Sequence, residues 1–441
     1  MYLSKISSQT VFLLGAILMT VLGLVLYALV PLLMSAGYDK VPVKVYFADH
    51  ISPAHQSVID RFNKLHAGKI EVVPVNLPFD KFTTNERKEL LARSLRSKSD
   101  RLDVFSVDLI WGPRFAKWCE PLDQHYSAAQ RATILESALP SSVYNGVLVS
   151  LPLYIDVGML YYRRDILQKL PDAAGIERRL RESITWEELG TLRERLGYAG
   201  KPYYIFQAND YEGLVCNFFE LIAQRDREFF QQSVLDFTAP APRAALEQMV
   251  GLVRRSKMAP PEVVDFDENR SYQYLLDHNA MFVRGWPNFL ENFAKTYGDT
   301  GKLANIGRAA LPHFAGRRPA SVFGGWNVMI SRYSGKKAEA LEFVRYLHTR
   351  EAQETFFEEG GYIPVNSEVY ADTAFMNRHP DLSYYYQLLR HGFHRPSLVD
   401  YTRISDIISH YVRAAIRGEV TPGAALAEIT QMIRSKKVLI K

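Results

Sequence analysis

Six short segments of this chain set an aromatic ring beside an acid, an arginine or a glycine pair. They are Asp108 and Trp111 in DVFSVDLIWGP, Tyr154 and Asp156 in SLPLYIDVGMLYYRRDIL, Gln207 to Gly213 in FQANDYEGLVCN, Arg284 to Pro287 in FVRGWP, Gly324 to Asn327 in FGGWNVMI, and Arg395 in HRPSLVDYTRISDI. Such sets offer non-covalent recognition: an aromatic face packs on the CH face of a small ring while a carboxylate or guanidinium holds its hydroxyls. Gly324 and Gly325 would let backbone approach a ligand closely, with Trp326 turned into a cleft. The same residues have a plainer reading, in which Trp186, Trp286 and Trp326 fill the core and the glycine pair makes a bulge.

Bond-breaking chemistry finds little support. The chain has no GxSxG, no HExxH, no GxxxxGK[ST] and no GxGxxG after a strand. Asp108 and Asp156 could be nominated as a glycosidase pair, but so could any two of 48 acids. The 11 histidines are scattered, and the pairs His50/His55 and His391/His394 read as surface or loop residues without acidic or thiol partners at metal-ligand spacing. Cys119 and Cys216 stand alone, excluding a CxxC motif or zinc ribbon and reading as packed thiols. No cofactor or metal is expected. A net charge of +5, without a basic run outside the last few residues, argues against nucleic acid as a partner.

The elements that must position these residues alternate. Val41 to Phe47, Lys69 to Val75 and Asp103 to Ile110 read as strands, and Pro53 to Lys64 and Phe82 to Ser97 as the helices between them. This pattern predicts an α/β architecture with a largely parallel sheet covered on both faces. Ser150 to Tyr162 is a further β-rich stretch. Thr185 with Glu188 forms a capping box opening a helix Trp186 to Arg195. Helical patterns follow at Tyr211 to Arg225, Pro242 to Ser256, Lys336 to Thr349, Ile404 to Ile416 and Pro422 to Ile433, with a strand at Ser321 to Ile330. With 441 residues and no Gly/Ser/Pro linker, two lobes joined by crossovers fit better than separate beads.

Val11 to Met34 carries no charge. Its length suits a bilayer, which needs about 20 residues, better than a cleaved signal core, although cleavage near Ser35, Ala36 and Gly37 is the alternative. Lys5 before it favours the N-terminus inside and the rest outside.

At these segments, and in their order together with TWEEL and GGYIPVN, the sequence resembles the family-1 bacterial extracellular solute-binding proteins, the substrate receptors of ABC sugar importers, and most of all their trehalose/maltose-binding branch. The resemblance implies a two-lobed periplasmic-binding-protein fold of the maltose-binding type behind an N-terminal transmembrane helix. It implies a first lobe of residues 41–150 plus 312–361, a second of 151–311 plus 362–441, and an anchor in 1–40. By the same resemblance, Asp108, Asp156 and Arg395 would bond sugar hydroxyls, Tyr154 would lie beside them, Trp286 and Trp326 would stack on sugar rings, and Gly325 would make the turn before Trp326. The implied partners are a small carbohydrate, the permease subunits and, through the N-terminal helix, the membrane. Asp108 and Asp156 have an alternative role as helix caps, and Arg395 as a bridge between lobes. The first loop departs from the family's Gly-rich turn and Glu, running Asp49, His50, Ile51, Ser52, Pro53, Ala54, His55. Other readings of the same fold are a membrane-anchored sensor or scaffold module and an extracytoplasmic glycoside hydrolase.

Overall fold

A computed structural model describes residues 8–35, 41–78, 81–82, 84–232, 234–298 and 301–439. Its strands are β1 (Val43–Asp49), β2 (Ile70–Asn76), β3 (Val104–Asp108), β4 (Val143–Tyr144), β5 (Val147–Leu148), β6 (Leu151–Val157), β7 (Met159–Arg163), β8 (Tyr204–Ile205), β9 (Phe282–Gly285), β10 (Ile306–Ala309), β11 (Ser321–Ile330) and β12 (Gly392–Phe393). One sheet runs β12-β11-β3-β1-β2 with β6 also paired to β11; a second runs β10-β7-β9-β8.

The sheets are less parallel than the alternation of strands and helices predicts. β1 lies parallel to β2 and β3, as expected where helices return the chain. β11 is antiparallel to both β3 and β6, and β7 is antiparallel to both its neighbours. The reason is the crossing of the chain between sheets. β6 and β7 read as one β-rich stretch in sequence, but Gly158 divides them and sends each to a different sheet. β6 and β12 therefore belong to the first sheet, on the other side of the division from the expected second-lobe segments 151–311 and 362–441.

Local sequence explains the elements. Pro53–Leu65 is opened by Ser52, whose hydroxyl accepts from the His55 backbone N–H, and it buries Ala54, Val58, Ile59 and Phe62 against the sheet. Val58, Ile59 and Phe62 each contribute about 1.5–3 kcal/mol of burial. Thr185 and Glu188 form the expected reciprocal cap, at 3.1 and 2.8 Å. Every residue of β6 and β11 is buried, which is why both read as near-continuous apolar runs.

The helix Ser8–Ser35 carries no charged residue, and its described side chains, residues 12–28, are all exposed. Among the described residues no helix is long and apolar enough to cross a membrane. Lys5, Ala36 and Gly37, which bear on orientation and cleavage, lie outside the described residues.

Candidate functional site

Strand register assembles most of the recognition set. Asp108 on β3 pairs with Trp326 on β11, Trp326 pairs with Tyr154 on β6, and Gly324 pairs with Asp156. Paired residues, and residues two apart on a strand, share a face, so Asp108, Tyr154, Asp156 and Trp326 project from the same side of the first sheet. Trp286 reaches this face from the end of β9 in the second sheet. A Cβ on Gly324 would lie 2.9 Å from Trp286 Cζ3 and 3.3 Å from Asp156 Cβ, so only glycine leaves room for the indole there. Gly325 has φ +117°, and a Cβ on it would run into the Tyr154 carbonyl oxygen and sit 2.9 Å from Ile155 Cα. Gly325→Ala should therefore lower stability by about 1–3 kcal/mol, the range for a residue forced into a backbone region open only to glycine; a melting temperature matching the parent's would contradict this.

Arg395 closes the set from the segment after β12. Its guanidinium is almost wholly buried, with Nη2 donating to Asp108 Oδ1 at 2.9 Å and Nη1 to Glu212 Oε1 at 2.6 Å. Glu212, in the first turn of helix Glu212–Arg225, also accepts from the hydroxyls of Tyr401 and Ser405. Asp108 Oδ1 additionally accepts from the Ile110 backbone N–H at 3.0 Å, so its capping role is real and coexists with the ion pair.

Trp286 is held by three hydrogen bonds and by one face of its ring. Its Nε1 donates to Glu268 Oε1 at 3.2 Å, its backbone N–H donates to the Tyr272 hydroxyl at 2.8 Å, and its carbonyl accepts from the Tyr161 hydroxyl at 2.7 Å. The Arg284 guanidinium lies 3.9 Å from its ring centroid. Trp326 is similarly backed by Arg87 at 4.0 Å and met edge-on by Trp111.

Beneath Trp326, Arg87 Nη2 donates to Asp49 Oδ1 at 2.8 Å, and His55 Nε2 lies 3.5 Å from Asp49 Oδ2. All three side chains are buried, so His55 is not the surface histidine its sequence setting suggests. Its ring packs edge-on against Phe356 and Tyr362, and Asp49 supplies the polar partner that makes its burial tolerable. Burial alone would raise the Asp49 pKa, but the contact with His55 and the charge of Arg87 outweigh it and hold it at about 2. Asp156 behaves oppositely. Burial, then the neighbouring charge of Asp108, push it up to about 7, and its Oδ1 has no hydrogen-bond partner among the described residues.

Ser52 Oγ lies 2.8 Å from His55 Nδ1, with Asp49 on the other ring nitrogen, but all three side chains are buried, and among the described residues no group of three or more His, Cys, Asp or Glu could hold a metal. Cys119 and Cys216 are both free and buried. A groove of about 710 Å³ lies elsewhere, between Lys201, Lys257, Pro261 and Arg417. Size alone does not mark the site, because that groove contains none of the convergent aromatic and charged side chains described above.

Residues 47–354 match the model of the bacterial extracellular solute-binding proteins. The chain belongs to that family. A probable ABC transporter-binding protein of Deinococcus radiodurans is 28% identical over 370 residues, covering 80% of this chain and 84% of that protein. Among solved structures, maltose-bound T. maritima MalE3 superposes with a TM-score of 0.80 at 26% identity, covering 89% of this chain and all of the other. The GacH receptor of Streptomyces glaucescens, solved unliganded and with acarbose, gives a TM-score of 0.75 at 20% identity over 90% of this chain and 98% of its own. The two-lobed maltose-binding-protein-like α/β fold is thus established, and the protein is a solute-binding protein rather than an enzyme.

In this solute-binding protein the seven residues singled out by sequence converge at the meeting of the two sheets. Sequence reading passed over Glu212, Glu268, Arg87 and the Asp49–His55 contact. Glu212 stands within a segment that was singled out, FQANDYEGLVCN, but its partner Arg395 is 183 residues away in the chain. Arg87 sits in TNERKELLARSLR, where a charged helix predicts a solvated face.

Proposed function

We propose that the protein is the substrate-binding component of an ABC importer, capturing a di- or oligosaccharide of the maltose or trehalose kind between its lobes and delivering it to the permease. The observation that carries this is the convergence of Asp108, Tyr154, Asp156, Trp286, Gly325, Trp326 and Arg395, drawn from both sheets, at the crossover between them. Trp286 and Trp326 stack on sugar rings, and Asp108, Asp156 and Arg395 bond hydroxyls. A ligand touching both lobes favours the closed form by the contacts it makes only there, so occupancy is read as closure. The maltose bound to the T. maritima relative supports the ligand class. The lobes divide as residues 41–150 plus 312–361 against 151–311 plus 362–441, with β6 and β12 lent to the first sheet. The uncharged helix Ser8–Ser35, with the side chains of residues 12–28 exposed, supports tethering in the cytoplasmic membrane with the binding lobes outside.

The test is calorimetric titration of the full chain, held in a detergent without a sugar headgroup, against mono-, di- and trisaccharides. Saturable heat with a disaccharide is expected, and silence across the series would remove the sugar assignment.

Asp156 gives this binding a pH dependence. A sugar hydroxyl donates to the ionised carboxylate, so below about 7 the complex forms with release of a proton and affinity falls as pH falls. Affinity should rise from pH 5 to pH 8 and level off, and Asp156→Asn should flatten the profile. In the ligand-free protein the sign reverses: a carboxyl raised from 3.8 to about 7 contributes most stability below 3.8, and this is lost as pH rises through about 7.

A further inference from the structure

We propose that the buried Arg284–Glu220 pair is the mechanical link between stacking at Trp286 and the hinge that joins the lobes; Arg284 and Glu220 are positioning residues, and the ligand half of this inference rests on the proposed function above.

The hinge end of the link is backbone. Gly158 is the single residue between β6, in the first sheet, and β7, in the second. Its N–H donates to the Val322 carbonyl at 3.1 Å, tying this crossover to the start of β11, the strand by which the chain re-enters the first sheet. Glu220 Oε1 accepts from the Val322 N–H at 3.2 Å. The same oxygen occupies the space a Gly158 side chain would need: a Cβ there would collide with Glu220 Oε1 and lie 2.8 Å from Arg284 Nη2. One buried carboxylate therefore touches both strand connections at the point where they change lobes.

The ligand end is the guanidinium. Arg284 donates through Nη2 to Glu220 Oε1 at 2.7 Å and through Nε to Glu220 Oε2 at 3.2 Å, a two-point contact that fixes its plane. That plane lies 3.9 Å from the Trp286 ring centroid. Both charged side chains are withdrawn from water, where a pair of this kind has essentially one arrangement and displacement of either member moves the other. Gly158, Val322, Glu220, Arg284 and Trp286 form a contiguous run of contacts, each given above by a distance or an excluded volume. Coupling of this kind requires an element whose geometry both ends bias, and the crossover at Gly158 supplies it.

The experiment has two arms on the full chain in the same detergent. In the first, all 5 tryptophans carry 5-fluorotryptophan, and the Trp286 resonance is assigned with Trp286→Phe. Gly158→Ala, which presses on Glu220 from the hinge side, and Glu220→Gln, which keeps the side-chain shape but removes its charge, should each shift the Trp286 fluorine signal without any sugar present, leaving those of Trp111 and Trp118 in place. In the second, spin labels at Ser97→Cys and Glu194→Cys report the distance between lobes, the native cysteines being buried. Maltose should shorten this distance in the parent but not in Glu220→Gln, whose maltose affinity should fall about 5-fold or more, the lower end of ordinary site-to-site coupling. A Trp286 signal unmoved by both substitutions, or a maltose-induced shortening in Glu220→Gln equal to the parent's, overturns the proposal. If Gly158→Ala does not fold, Glu220→Gln decides both arms. A parent that ignores maltose counts against the sugar assignment alone, since the fluorine arm needs no ligand.

Discussion

Arg395→Met should abolish saturable disaccharide binding, with affinity falling by about 100-fold or more. The estimate follows from what the substitution leaves behind. The guanidinium is 1% exposed and sits between Asp108 and Glu212, so methionine fills its volume while stranding two part-buried carboxylates beside one another. Truncating one member of a buried, hydrogen-bonded charge set costs about 2–5 kcal/mol, much of it the penalty on the partners left unpaired. That repulsion acts between Asp108 at the end of β3 in the first sheet and Glu212 in the first turn of helix Glu212–Arg225. Calorimetry and thermal melting together separate the two roles assigned to Arg395. A clamp on sugar hydroxyls predicts that Arg395→Met/Glu212→Gln, with one stranded charge removed, regains stability but not affinity. A pure bridge between lobes predicts that both return. Sugar binding at parental strength in Arg395→Met would overturn its place in the site.

How much of this could be read from the sequence depends on the range of the forces involved. The capping box at Thr185 and Glu188 and the apolar spacing of Pro53–Leu65 are local, and both elements form where the residue pattern puts them. β11 was legible for the same reason, its bounds Ser321–Ile330 being those of its apolar run. Asp108 and Trp286 come from strand ends, which meet on one side of an α/β sheet, while Tyr154, Asp156 and Trp326 are brought to them by the register of β6 against β11. The break at Gly158 was not legible. Nothing in SLPLYIDVGMLYYRRDIL distinguishes one long strand from two strands in different sheets, since the reason for the break, the Glu220 carboxylate, lies 62 positions further along the chain. Buried charges failed in the same way. An arginine in a charged helix reads as solvated until its carboxylate partner is known, and Arg87 and Asp49 are 38 residues apart.

That pair carries the second large expectation. Arg87→Met should destabilise the folded protein by about 3–5 kcal/mol, the usual cost of leaving one member of a buried ion pair alone. Arg87 is fully buried, its Nη2 is 2.8 Å from Asp49 Oδ1, and its guanidinium backs the Trp326 ring, so the substitution also removes a cation–π contact of about 0.5–2 kcal/mol. The acid limb of the stability profile identifies the cause. In the parent, Asp49 is held at about 2 against an ordinary 3.8, so its share of stability is fully present above 3.8 and lost as pH falls through about 2. Without Arg87, one of the charges holding the carboxyl ionised is gone, its pKa rises, and the loss should begin at higher pH. Adding Asp49→Asn should restore most of the stability and remove the shifted limb, because the carboxylate no longer has to be buried unpaired. If Arg87→Met melts within about 0.5 kcal/mol of the parent, the scale of a neutral surface change, then Asp49 has found another counter-charge. The departure of this first loop from the family's Gly-rich turn and Glu would then have to be explained by His55 alone.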